Sequence, residues 1–219
     1  MKRKHRIAAV LFDMDGVLVD SEAYIRQAAM AMFAEKGHPV LSEDFLPFTG
    51  MGENRYLGGV AEKYGIPFDL EMDKARTYEI YARLVKGKLY PLDGVHDFIK
   101  TCRDRGLKIA VASSADPVKV NINLEEIGLD RSMFGAIVTG LDIEHKKPAP
   151  DIFLKAAGLL EADPQCCLVV EDAISGVAAG KAAGARVLAL TTSFSSHELA
   201  GADWITATLA TAGEEVLEW

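Results

Sequence analysis

The stretch VLFDMDGVLVDSE, residues 10–22, crowds Asp13, Asp15 and Asp20 around Gly16 directly behind an apolar run. Carboxylates this close repel each other unless a cation or a proton lies between them. Hard oxygen donors suit Mg2+, which takes one or two carboxylates and completes its shell with waters and a substrate phosphate. The five histidines are scattered, and no HxxxH or CxxC spacing offers zinc a site. Three more polar groups stand out: Ser113-Ser114 in VASSAD, Lys147 in KKPAPDIF and Glu171-Asp172 in VVEDAISG. Carboxylate, metal, lysine and serine together point to phosphoryl transfer, because a carboxylate in line with a charge-neutralised phosphorus can form an acyl phosphate. Asp13 is then the candidate nucleophile. Asp15, beyond the turn, would protonate the leaving oxygen and later deprotonate water. Ser113 and Lys147 would grip the phosphoryl group, joined by Ser114 and the main-chain N–H groups around Gly16. Asp13, Asp15, Glu171 and Asp172 are the candidate Mg2+ ligands, with Glu171 either a direct ligand or a group behind one.

These residues need elements that bring them together. Ile7–Phe12 is short, continuous and apolar, the pattern of a fully buried strand. Asp20 can cap a helix over residues 21–36, which Gly37 and Pro39 end. SEDFLPF, GENRYLGGVAEKYG and DLEMDKARTYEIYARLVKG continue with helical patterns, so residues 20–88 read as an all-α insertion. Alternation follows. Asp93 caps a helix ending near Gly106, and Leu107–Ala112 is a strand. A helix starts at Asp116-Pro117, and Gly135–Thr139 is a strand. Residues 149–160 form a helix, Cys167–Val170 a strand, residues 174–184 a helix and Arg186–Leu190 a strand. DWIT is an edge strand before a C-terminal helix. Such alternation implies an α/β fold, a Rossmann-like parallel sheet covered on both faces, with residues 1–19 and 89–219 as the core and 20–88 as a helical cap. Ligands of such sheets bind outside the carboxyl ends of the strands. Asp13, Ser113, Lys147 and Asp172 each follow a core strand, so fold geometry alone gathers them on one edge.

Composition narrows the classes. The chain has 219 residues and a net charge of −8, which argues against nucleic-acid binding, since phosphate backbones need a basic surface. The cysteines Cys102, Cys166 and Cys167 are odd in number, with two adjacent; that is a poor disulfide framework and fits a reducing compartment. The basic start MKRKHR precedes an apolar run too short for a signal sequence, and no stretch reaches membrane-spanning length. The expectation is a cytoplasmic monomer, or an organellar one after removal of a transit peptide, acting on a small phosphate ester.

The same residues resemble the haloacid dehalogenase superfamily across essentially the whole chain. DMDGVLVDSE is similar to its first motif, Ser113 to its second, Lys147 in KKPAPDIF to its third and EDAISG to its fourth. The resemblance implies a nucleophilic Asp13 that also binds Mg2+ and an acid/base Asp15 whose main-chain carbonyl meets the metal. It further implies phosphoryl contacts from Ser113 and Lys147, a metal-binding Asp172 and a helical cap. Asp at position 15 favours phosphate esters over dehalogenation. Within the superfamily the chain looks most similar to the β-phosphoglucomutase-like group. Ile25 stands where the mutase has a cap histidine, Thr49 precedes Gly50 where it has a lysine, and Glu53 falls where it has an arginine. Loss of these cations makes a phosphatase the expected activity, with a phosphomutase as the alternative. FTGMGENRYLGGVA is also similar to the corresponding domain of the plant suppressor-of-quenching proteins.

Rival readings fail on specifics. An EF-hand would need glycine at Leu18 and glutamate at Tyr24. GMGENR lacks the third glycine and the preceding strand of a dinucleotide fingerprint. A receiver-type domain, which also joins an acidic Mg2+ site, a hydroxyl and a lysine, needs no helical insertion and gives Asp15 no task. Glu22, Thr49, Asn54, Arg55 and Lys74 are the candidate substrate contacts from the insertion.

Overall fold

The computed structural model describes residues 7–48 and 52–219. Strands β1 (Ala9–Phe12), β2 (Lys108–Ala112), β3 (Ala136–Val138), β4 (Cys167–Glu171), β5 (Arg186–Leu190) and β6 (Trp204–Thr206) form one sheet in the order β3-β2-β1-β4-β5-β6. Every neighbouring pair is parallel, with Phe12 in register with Val111 on one side and Val170 on the other. Parallel strands buried on both faces cannot alternate polar and apolar residues, which is why AVLF, IAVA and LVV carry no charge. Side chains instead alternate between two cores. Val10, Phe12, Ile109, Val111, Leu168 and Val170 enter one, together with α4 (Val95–Asp104) and α5 (Pro117–Glu126). Phe98 of α4 meets Phe12 edge-on at 6.1 Å between ring centroids. Ala9, Leu11, Ala110, Ala112 and Val169 face the other core, under α6 (Asp151–Leu159) and α7 (Ile174–Ala182).

The chain runs outward from β1 to β3, then returns to β4 on the far side of β1. That reversal opens a crevice at the carboxyl ends of β1 and β4. Between β1 and β2 the described residues form helices rather than further sheet: α1 (Glu22–Glu35), a 3-10 segment over Ser42–Phe48, α2 (Glu53–Tyr64) and α3 (Leu70–Val85). Asp69 caps α3 by accepting from the Met72 N–H at 2.9 Å. Phe33, Phe45, Tyr56 and Tyr81 of this segment join the same apolar cluster as Phe12 and Val170.

Several boundaries differ from expectation. Ser21, not Asp20, precedes α1, and its hydroxyl makes no cap because Asp15 takes it. Gly94, not Asp93, stands before α4. SEDFLPF contains Pro47 and tightens to 3-10 geometry. No C-terminal α-helix forms among the described residues; Leu209–Thr211 and Glu214–Leu217 are 3-10 turns, the first closed by Thr208 and Thr211. Buried Leu209, Val216 and Leu217 pin this segment, which is too short to repeat an apolar stripe. Among the described residues no helix is long and apolar enough to cross a membrane.

Candidate active site

β1 ends in Asp13, whose N–H donates to Val170 O at 3.0 Å and so fixes the side chain at the crevice. The chain must then turn sharply. Gly16 adopts φ +76°, and a Cβ there would lie 1.8 Å from Asp172 Oδ2; only glycine lets the loop pass the second carboxylate. β2 ends in buried Ser113, held by its N–H to Val138 O at 3.0 Å. Its Oγ accepts from the Ala115 N–H at 3.2 Å. β4 ends in Glu171, followed by Asp172.

Lys147, before α6, reaches into this group. Its ammonium donates to Asp13 Oδ1 and, at 2.6 Å, to Glu171 Oε1. The other Glu171 oxygen accepts the N–H groups of Asp172 at 2.9 Å and Ala173 at 3.0 Å, so both oxygens of this 1 % exposed carboxylate are engaged. Burial works to lower the Lys147 pKa, but the charges of Asp13 and Glu171 prevail and raise it. Asp13 is pushed up to about 7, first by burial, against the pull of Lys147. Asp172 is pushed up to about 8 by burial, then by the charges of Glu171 and Asp13. The Asp172 carboxylate is braced by Ser193 Oγ–H, and Thr192 Oγ–H donates to Gly16 O at 2.6 Å. β5 thus supplies a further strand end to the site.

Asp15 stands across the crevice from these groups. Its Oδ1 accepts from Ser21 and its Oδ2 from Lys119 of α5 at 2.8 Å. Glu22 lies 3.9 Å from the same ammonium. Burial raises the pKa of Glu22 and of Glu53, and Lys119 opposes it in both cases.

Most of these residues line one cavity of about 1120 Å³, to which Ile25, Leu46 and Tyr56 of the helical segment also contribute. Asp13, Asp15, Gly16, Glu22, Ser113, Ser114, Lys147, Glu171 and Asp172 meet there. Asn54 and Arg55 do not: Arg55 pairs with Glu62 at 2.7 Å and lies over the Phe48 ring, while Asn54 accepts from Lys74 at 2.8 Å. Lys74 is spent on Asp116 at 2.6 Å. Thr49 lies outside the described residues. Asp116, expected as the α5 cap, makes no side-chain cap bond. Lys119, Glu53, Thr192 and Ser193 were not anticipated. The stretch TTS directly behind the strand RVLAL, which holds Thr192 and Ser193, obeys the strand-end rule and could have been found; a lysine within a helix carried no such signal.

The donor set suits a hard cation. Among the described residues no three of His, Cys, Asp and Glu form a closed metal cluster, because Asp15 turns to Lys119 and Glu171 to Lys147. Asp13, although it also accepts from Lys147, and Asp172 are the carboxylates left facing the crevice; burial is the first cause of their raised pKa values, and the charge of Glu171 adds to it in both. One or two carboxylates plus carbonyl, water and phosphate oxygens is the Mg2+ pattern.

A family model described as haloacid dehalogenase-like hydrolase matches residues 7–184. The chain is 46% identical over 195 residues to Protein SUPPRESSOR OF QUENCHING 1, chloroplastic, of Arabidopsis thaliana, covering 87% of this chain but only 18% of that protein. It is 31% identical to the Phosphorylated carbohydrates phosphatase of Thermotoga maritima, covering 80% of this chain and 81% of the relative. The crystal structure of CbbY from Rhodobacter sphaeroides in complex with phosphate superposes with a TM-score of 0.85 at 26% identity, covering 94% of this chain and 96% of CbbY.

Proposed function

The chain belongs to the haloacid dehalogenase-like hydrolases, and we propose that it is a Mg2+-dependent phosphomonoester hydrolase working through an aspartyl-phosphate on Asp13. The observation that carries this reading is the pair Asp13 and Asp172, buried just past the carboxyl ends of the adjacent strands β1 and β4, with the Lys147 ammonium of the β3–α6 loop on Asp13. Asp13, Asp172 and the Asp15 carbonyl would hold Mg2+, with Glu171 bracing Lys147 rather than binding directly. When bound, the cation would neutralise phosphoryl charge and let the two aspartates ionise side by side.

Ser113 and Lys147 orient the phosphoryl oxygens, with the N-termini of α5 and α7 adding partial positive charge. An Asp13 oxygen bonds to phosphorus as the ester oxygen departs with a proton from Asp15. Asp15 then removes a proton from water, which attacks the aspartyl-phosphate and releases inorganic phosphate and free Asp13. Residues 20–88 would serve as a cap that excludes bulk water during transfer; in support, Ile25, Leu46 and Tyr56 of this segment are among the cavity's lining residues. The reading is of a protein acting as a monomer, in cytoplasm or organelle; the 46% identical relative named as chloroplastic supports the organelle. The relative named for phosphorylated carbohydrates supports a small phosphorylated metabolite as the substrate class.

The test is release of phosphate from p-nitrophenyl phosphate with and without Mg2+. Asp13→Asn should lower the Mg2+-dependent rate roughly a thousandfold or more while circular dichroism stays that of the folded protein. Retained turnover would refute the nucleophile. Isomerisation of a sugar phosphate without phosphate release would replace the hydrolase with a mutase.

A further inference from the structure

We propose that Lys119 is a positioning residue that seats Asp15 for proton transfer to the leaving group; the inference rests on the acid/base reading of Asp15 above. Lys119 is 2 % exposed although it sits within α5, a place where lysine ordinarily reaches water. A buried ammonium persists only when paired. Its Nζ lies 2.8 Å from Asp15 Oδ2 and 3.9 Å from Glu22 Oε1, and Glu53 adds a third negative charge. Two of these three carboxylates come from the helical segment, one from α1 and one from α2. Lys119 therefore has no charge to spare for a second phosphate, and its shortest contact is to the acid/base.

The opposite oxygen of Asp15 is held by a hydrogen-bond chain with one permitted direction. Buried Tyr81 O–H donates to Asn123 Oδ1. The Asn123 amide N–H is thereby turned towards Ser21 Oγ, at 3.3 Å, and Ser21 O–H is left to donate to Asp15 Oδ1. Tyr81, Asn123 and Ser21 are all fully buried, so water does not compete for these positions. With Oδ2 on Lys119 and Oδ1 on Ser21, the plane of the Asp15 carboxylate is fixed at both oxygens. A carboxyl held in this way directs the remaining position on each oxygen, which carries the proton when Asp15 acts as the acid, to the cavity in one orientation, which a proton transfer within hydrogen-bond reach requires.

The consequence is readable in leaving-group dependence. Proton donation matters most when the departing oxygen is a strong base, so a badly seated Asp15 penalises phenyl phosphate more than p-nitrophenyl phosphate. The experiment measures kcat/KM for both esters at saturating Mg2+, since kcat/KM reports the first transfer to Asp13. Lys119→Met should widen the p-nitrophenyl to phenyl ratio by about tenfold or more, within the range of general-acid contributions, and Lys119→Arg should recover part of the phenyl rate. An equal loss on both esters, or no loss on either, overturns the proposal. If Lys119→Met does not fold, Ser21→Ala decides, because it releases the other oxygen: the same widening supports the proposal and an unchanged ratio refutes it. Wild-type protein inactive on both esters would remove the hydrolase reading itself, and this inference with it; an active wild type with an unchanged ratio removes the inference alone.

Discussion

Replacing Lys147 by methionine tests how the site is held together. The ammonium lies 2.6 Å from Glu171 Oε1 and also binds Asp13, with side-chain exposures of 7%, 1% and 12% for Lys147, Glu171 and Asp13. At an effective dielectric of about 20, one such pair is worth about 6 kcal/mol of gross attraction. Most of that offsets desolvation, so the relevant quantity is the cost of leaving buried carboxylates unpaired, about 3–5 kcal/mol. For a chain of this size that lowers Tm by about 6–20 °C. The stranded carboxylates can escape by taking up protons, each pH unit being worth about 1.4 kcal/mol per proton. In the variant, Asp13, already raised by burial, loses the opposing pull of Lys147, so its folded-state pKa stands further above the unfolded one and the folded state keeps a proton that the unfolded state has released. Its stability falls as pH rises, and the deficit relative to wild type is larger at pH 8 than at pH 5.5. Adding Glu171→Gln removes one stranded charge, so the double variant should cost less than the sum of the two single changes by about 1–3 kcal/mol. Thermal unfolding of the four proteins in EDTA at both pH values measures all of this. A Lys147→Met protein within about 2 °C of wild type at pH 8, or a deficit independent of pH, would refute the reasoning.

Two further outcomes follow from the same carboxylates. In metal-free protein, Asp13 and Asp172 titrate near 7 and 8 instead of near 3.8, so stability should decline as pH rises from about 4 to 8. Mg2+ needs both groups ionised and offsets that loss, so it should raise Tm more at pH 8 than at pH 5.5; equal shifts would count against these ligands. Gly16→Ala adds a Cβ at φ +76°, 1.8 Å from Asp172 Oδ2. It should cost about 1–2 kcal/mol in backbone strain yet lower phosphate release by roughly a hundredfold, because Asp172 must move; a wild-type rate would place Asp172 outside the reaction.

What could be read in the chain beforehand was the part set by parallel-sheet geometry. A strand without charges that ends in Asp13 or Glu171 can only be buried in a sheet with its polar end at the rim, and this brought Asp13, Ser113, Lys147 and Asp172 together across the fold. The helices of the insertion were legible from their periodicity, but not which of their faces met the core. Asn54 and Arg55 were expected at the substrate and instead engage Lys74 and Glu62. Glu53, one position before Asn54, is the residue that faces the cavity. Lys119 escaped notice because a helical lysine ordinarily denotes water, and its burial depends on carboxylates that only the folded insertion delivers. Asp116-Pro117 marked the start of α5 correctly. The Asp116 carboxylate, however, went to Lys74, because an ion pair to a neighbouring helix outweighs a cap that backbone and water can replace.

The position of β1 has a consequence for biosynthesis. It is the first of the sheet strands to leave the ribosome, yet it lies between β2 and β4, and Phe12 meets Val111 and Val170 only when those residues exist. At ordinary elongation rates the strand bearing Asp13 waits on the order of ten seconds for its flanking partners. During that interval an uncharged, β-prone segment is an invitation to aggregate. The chain spends the interval making α1, α2 and α3, whose buried Phe33, Tyr56 and Tyr81 belong to the same apolar cluster as Phe12. The helical segment that contributes to the cavity lining is thus also the nascent strand's earliest available shelter.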